Sequence, residues 1–297
     1  MKKFAAGLGA LAAGAGAVAA VGAWRWRSGT AELVDRLRTA AGTEAAPAGL
    51  TAHEREELPD PISRYFRAVL PDVVPSIRYA RLEQHGRFLA RPTPNGWRPF
   101  RAVEHFTARP AGFVWDARIR MAPGVNVLVR DGFVDGRGVM IGSVLGLWPV
   151  VSGEGPALAA GALQRYLAEA VWLPTALLPS AGVAWMPLDG GGARATLTAG
   201  GTTVSLDFHF DAHGLIARVY TAARERDVGG GRTMLTPWQG RFSRYAWRAG
   251  FRIPTAGEVE WILPEGPRPY WRGEITDVVY EQDGCGAGPQ GTPPAAR

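Results

Sequence analysis

Residues 113 to 121 read FVWDARIRM, with side chains that alternate in character. Phe113, Trp115, Ala117, Ile119 and Met121 fall on one side, and Val114, Asp116, Arg118 and Arg120 on the other. A period of two with one apolar face predicts a strand of an antiparallel sheet covering a core on one side. The pattern returns at 203 to 211, TVSLDFHFD, with Val204, Leu206, Phe208 and Phe210 inward. The turn DAHG and the returning LIARVYTA complete a hairpin there. Further strands are predicted at 78–89, 97–108, 125–131, 138–150, 193–199, 240–249, 258–263 and 273–281. Turn punctuation such as PTPNG at 92–96 and VDGRG at 134–138 separates them.

Where the period is helical, the segments are short. TAELVDRLR, residues 30 to 38, opens on a Thr cap candidate and carries acids early and bases late, as a helix prefers. LPDPISRYFRAVLP, residues 58 to 71, places Ile62, Tyr65, Phe66 and Leu70 on one stripe and stops at Pro71. The third, within RYLAEAVWLPTALLP at 165 to 179, is the helix that interrupts the strands. Leu163, Tyr166, Leu167 and Ala170 form its buried face, and Arg165, Glu169 and Trp172 a neighbouring stripe. Pro174 ends it.

These elements predict an α+β, β-rich fold: one large curved antiparallel sheet, a half-barrel, wrapped around the helix at 158–172 and preceded by N-terminal helices. The expected organisation is a membrane anchor or signal segment at 1–27, a helix and linker at 28–57, one β-rich domain at 58–281 and a disordered tail at 282–297. With 297 residues and 46% hydrophobic content, the chain can bury a core.

The first thirty residues raise the question of location. Residues 4 to 23 carry no charge and follow Lys2 and Lys3; a helix of that length spans about 30 Å, a bilayer core. Trp24 and Trp26 suit a headgroup interface, and Arg25 and Arg27 can reach phosphates. The expectation is a single-pass anchor at the cell membrane with the domain outside the cytoplasm; cleavage after the small residues Val21, Gly22 and Ala23 is the competing reading.

Charge changes the picture little. The formal charge of +6 comes from 33 basic against 27 acidic residues spread along the chain, without the stripe that nucleic acid demands, so no nucleic-acid partner is expected. A single cysteine, Cys285, excludes an intrachain disulfide and a cysteine metal site. His209, Asp211 and His213 have metal-ligand chemistry. Strand alternation nevertheless puts Asp207, His209 and Asp211 together on a solvated face, so no metal and no cofactor is assigned. No serine elbow or phosphate loop is present. The eleven tryptophans either fill the inside of a wide curved sheet or line a cavity.

The order and spacing of LPDPISRYFR, WRPFRAVEHF, GFVWDARI, RYLAEAVWLPTALLP, VSLDFHFDAHGLI, GFRIPTAGEVEW and GPRPYW resemble an uncharacterised bacterial domain-of-unknown-function family with an N-terminal hydrophobic segment. FDAHGLI and GFRIPT are similar, more loosely, to hairpins of the lipoprotein-carrier, or sorting-factor, half-barrels. That resemblance implies a concavity between sheet and helix that takes an acyl chain or another apolar ligand. Trp115, Arg165, Tyr166, Glu169, Trp172 and Phe208 are the candidate ligand-binding residues. Two alternatives stand beside this one: an enzyme of unassigned class using Arg165, Glu169 and His209, and a structural or assembly protein of the cell envelope.

Overall fold

The computed structural model describes residues 2–282 apart from 47, 48, 92 and 94, with residues 2–15, 52 and 53 as backbone only. The expected linker and the PTPNG turn are thus only partly within the described residues, and the expected tail from residue 283, with Cys285, lies outside them. Helices α1 (Lys2–Thr43), α2 (Ala52–Glu57) and α3 (Asp60–Val69) come first. Strands β1 (Ile77–Leu89), β2 (Trp97–Thr107), β3 (Gly112–Ala122), β4 (Val125–Val134), β5 (Arg137–Val144) and β6 (Trp148–Gly153) follow as a meander. Helix α4 (Pro156–Glu169) and three short 3₁₀ turns between Ala170 and Ala181 lead to the second meander. It comprises β7 (Val183–Leu188), β8 (Gly192–Ala199), β9 (Thr202–Phe210), β10 (Ile216–Gly229), β11 (Arg232–Arg248), β12 (Phe251–Leu263) and β13 (Gly266–Gln282).

All thirteen strands belong to one antiparallel sheet in which β1 pairs with β13, so the first strand joins the two meanders and β6 and β7 are left as the edges. The sheet is curled and unclosed. Helix α4, which is part of the connection between the two edges, packs on β3, β4 and β5 from one meander and on β9 and β10 from the other, and a flat sheet of this width could not bring those strands to one helix. At one rim the β4–β5 turn meets the β8–β9 turn through Gly136 and Gly200, both at positive φ (74° and 54°). A Cβ on either glycine would strike the backbone of the other.

Strands β11, β12 and β13 begin well before the predicted 240, 258 and 273, and two further differences have local reasons. The predicted strand at 138–150 is split into β5 and β6 by a turn in which Leu145 and Gly146 take positive φ. Strand β7 contains Pro187 and lies at the sheet edge, where a missing N–H is tolerated, so the proline that hides it from a pattern search does not prevent it.

The core is formed by the inward phase of the strands against α3 and α4. Helix α3 contributes Ile62, Tyr65, Phe66 and Val69, all buried. From α4 come Ala159, Ala162, Leu163, Tyr166 and Leu167.

Helix α1 changes the expectation for the N-terminus. Among the described residues no helix is long and apolar enough to cross a membrane, which overturns the single-pass anchor over residues 4–23 and the membrane localisation drawn from it. The helix runs without a break from Lys2 to Thr43. Its sheet-facing stripe is spent on protein. Gly22 lies so close to Leu145 and Leu147 that a Cβ would collide with them. Trp26, expected at a headgroup interface, is buried and donates its indole N–H to Asp116 Oδ1 at 2.8 Å, while Thr30 donates to Asp116 Oδ2 at 2.8 Å. The Arg130 guanidinium stacks over the Trp26 ring at 3.9 Å, and Leu37 packs with Val114 and Val134. These strand residues have the outward phase of β3 and β4, so α1 covers the outer face of the sheet.

Candidate functional site

Three inward stripes each carry one polar residue in an otherwise apolar series. In β2 it is Glu104, between Ala102 and Phe106; in β4 it is Asp131, between Val129 and Phe133; in β1 it is Gln84, after Ala80 and Leu82. The register places Glu104 opposite Trp115 and Trp115 opposite Asp131, so a carboxylate, an indole and a second carboxylate stand in a row across β2, β3 and β4. Helix α4 lays Arg165 over this row.

The Arg165 guanidinium is used on every side. Nη2 donates to Glu104 at 3.0 Å, Nη1 to Asp131 at 2.7 Å, and Nε to both oxygens of Glu169 at 3.0 and 2.9 Å. Its planar face lies 4.9 Å from the Trp115 ring and 5.0 Å from Phe113. Gln84 donates to Glu104 at 2.5 Å and accepts the Trp115 indole N–H at 2.9 Å, which closes the network. Burial pushes Glu104 well above the ordinary carboxyl range, reinforced by repulsion from Glu169 and opposed by Arg165. Burial raises Glu169 as well, but Arg165 and a hydrogen bond from Glu104 pull it back. Of the two carboxyl groups, Glu104 is raised the further. Burial alone would lower Arg165, yet Glu169, Glu104 and Asp131 hold it firmly charged.

Above this floor is a cavity of about 430 Å³ between the sheet and α4. Ile119, Met121, Val127, Val129, Met140 and Val151 form one wall. Phe88, Trp115, Trp238, Tyr270 and Trp271 supply rings, and Arg165, Glu169, Asp131 and Arg224 are the charged lining residues. A mostly apolar enclosure of this size with a few convergent polar groups has the form of a small-molecule site.

Of the six candidate residues, Trp115, Arg165 and Glu169 meet at this cavity. The other three are packed elsewhere. Tyr166 donates its hydroxyl to the Thr107 carbonyl at 2.9 Å, and Trp172 donates its indole N–H to the Pro254 carbonyl at 3.1 Å, so both fasten the helical connection to the sheet. Phe208 is fully buried against Trp185, ring to ring at 5.1 Å. His209 has the opposite phase on β9 and lines none of the cavity, so it does not join Arg165 and Glu169. Among the described residues no three His, Cys, Asp or Glu side chains are grouped to hold a metal ion.

Glu104, Asp131, Gln84 and Arg224 were not among the candidates. The first three had a legible signal, a polar side chain at an inward position of an alternating strand. Arg224 had none, because a bulge decides its direction. Opposite β11 the pairing runs from Thr221 with Trp238 to Arg224 with Thr236, one residue more on β10 than on β11. The extra residue reverses the alternation and turns Arg224 inward.

The molecule thus defines a class: a curled, unclosed antiparallel sheet wrapped around a helix, with an apolar cavity between them. The chain belongs to the family of unknown function DUF6544, whose model matches residues 48–273. Among solved structures it is similar to a LolA superfamily protein from Nitrosomonas europaea, at 12% identity and a TM-score of 0.38, covering 77% of this chain and 93% of that one. It is also similar to a beta-barrel-like protein of the domain of unknown function DUF1849 from Brucella abortus, at 12% identity and a TM-score of 0.20, covering 69% of this chain and 100% of that one. The family resemblance drawn from the sequence motifs is thus borne out by the family match. No curated protein matches the chain.

Proposed function

We propose that this protein binds a lipid or another apolar small molecule between its curled sheet and helix α4. The observation that carries the reading is the cavity of about 430 Å³, walled by aliphatic and aromatic side chains from both meanders. The polar residues on its floor favour binding over catalysis. Arg165, the most central of them, donates from each of its three nitrogens to a carboxyl group, which suits a strut tying α4 to β2 and β4. Removing a partner from such a buried network leaves an uncompensated charge, so the network preserves the shape of the cavity.

The test is native mass spectrometry of the purified full chain beside Val129→Trp, a variant that fills the cavity from β4. The expected result is an added mass on the wild type, removable by organic extraction and absent from a variant that still melts cooperatively. A wild-type chain that carries nothing, and takes up no alkyl-chain amphiphile when one is supplied, sinks the proposal.

A further inference from the structure

The Arg165 network accounts for the charged residues that line the cavity with one exception. Arg224 lines the cavity, and its guanidinium makes no hydrogen bond or ion pair among the described residues. The guanidinium carbon lies 4.7 Å from the Trp238 ring. Its Nη1 is closed off from solvent and without an acceptor, and so is the indole Nε1 of Trp271, another lining residue. A buried donor without a partner is costly, a charged one more so. Two around a single cavity are unusual enough to need an explanation.

Both side chains are set by irregularities in the sheet. The bulge in β10 turns Arg224 inward, as described above. A second bulge lies in β13, where the register jumps from Val259 with Trp271 to Glu260 with Pro269 and leaves Tyr270 as the extra residue. As a result the consecutive residues Tyr270 and Trp271 both line the cavity, which regular alternation would forbid. Tyr270 takes the Trp238 indole N–H at 2.9 Å, so Trp238 is satisfied and remains a platform for Arg224. The two bulges therefore bring two unspent donors to the same apolar space.

We infer that the ligand is an anionic amphiphile: an alkyl chain in the apolar part of the cavity and an oxyanion headgroup, carboxylate or phosphate, taken by Arg224 with the Trp271 indole N–H. This inference rests on the apolar-ligand reading and names the ligand class. A planar guanidinium is suited to a two-oxygen acceptor, and a low-dielectric wall strengthens the contact. The carboxylates in the same space accept nothing from Arg224: Asp131 and Glu169 favour its charge through space, but their hydrogen bonds are to Arg165.

The experiment is titration of the full chain, followed by its own tryptophan fluorescence, with dodecanoate, dodecyl phosphate, dodecan-1-ol and acetate, in the wild type, Arg224→Met and Trp271→Phe. The expected result is that the wild type takes either twelve-carbon anion roughly tenfold or more tightly than the alcohol, and that acetate alone does not bind. In Arg224→Met the alcohol binds as before while the advantage of the anions disappears; in Trp271→Phe that advantage shrinks. Preference for dodecanoate over dodecyl phosphate, or the reverse, identifies the headgroup. Equal binding of anion and alcohol by the wild type overturns the headgroup assignment and leaves the apolar reading standing, because Asp131 and Glu169 would then be the counter-charge to Arg224. Retention of the anion preference in Arg224→Met overturns it likewise. Acetate binding as tightly as dodecanoate overturns the amphiphile, and no binding of any twelve-carbon compound overturns both readings together.

Discussion

At the residue scale, the inward carboxyl of Glu104 shows how far burial alters ordinary chemistry. It is fully buried, accepts from Gln84 and Arg165, and is raised further by the neighbouring Glu169. Its pKa in the folded chain is raised above the ordinary 4.5, so between those two values the folded state holds the proton and the unfolded chain has lost it. The stabilisation that this group provides is complete below about pH 4.5 and is lost as the pH rises through the folded value. Glu104→Gln keeps the shape of a protonated carboxyl and cannot titrate. Urea unfolding from pH 4 to 8 is expected to show a flatter pH dependence for Glu104→Gln, with a change of roughly 1 kcal/mol or less at the acid end. An unchanged slope would mean that Glu104 is ionised in the fold.

At the element scale, α1 is attached to the outer face of the sheet by apolar contacts, by the ion pairs Arg36–Asp135 and Arg38–Glu281, and by a polar cluster around Asp116. Asp116 accepts from both Trp26 and Thr30, and the Arg130 side chain is clamped between Trp26 and the backbone of Gly29. Asp116 also stands opposite Arg130 in the sheet and favours its charge. Asp116→Ala is expected to loosen α1 by roughly 1–3 kcal/mol, the cost of leaving the Trp26 indole N–H without an acceptor and Thr30 with only the Trp26 carbonyl. The sheet should remain intact. Limited proteolysis checks this: cleavage within residues 24–43 should accelerate while the fragment containing the sheet persists, and an unchanged cleavage rate would show that the apolar contacts of Leu37 suffice.

At the scale of the whole molecule, the curl of the sheet is what makes the cavity, and the rim contact between Gly136 and Gly200 closes the curl on one side. Both positions lack room for a Cβ, and both take a φ that other residues adopt with strain. Gly200→Val is expected to separate the β4–β5 and β8–β9 turns and to destabilise the chain by roughly 2–4 kcal/mol. Hydrogen exchange should quicken in β5 and β8 together, because the contact joins strands that are far apart in the sheet order. Acceleration confined to β8 would show that the rim contact is incidental.

Periodicity alone determined much of this protein. The alternation in β3 and β9, the apolar stripes of α3 and α4 and the prolines that end them are local properties, and local sterics and burial demand were enough to predict a β-rich fold with a helix inside its sheet. Arg165 and Glu169 were legible for the same reason, four apart on one helix face. Tertiary structure decided the rest. Which inward polar residues meet Arg165 depends on strand register, which is a long-range pairing. The direction of Arg224 and the shared face of Tyr270 and Trp271 depend on bulges, which reverse an alternation that a sequence pattern assumes to be unbroken. The fate of the N-terminal run depended on whether protein or solvent faced it, and the outer faces of β3 and β4 supplied a partner for Trp26 that no composition discloses. Hydrophobic pattern states which face is buried, but only the folded chain states against what, because burial is a property of one position and contact is a property of two.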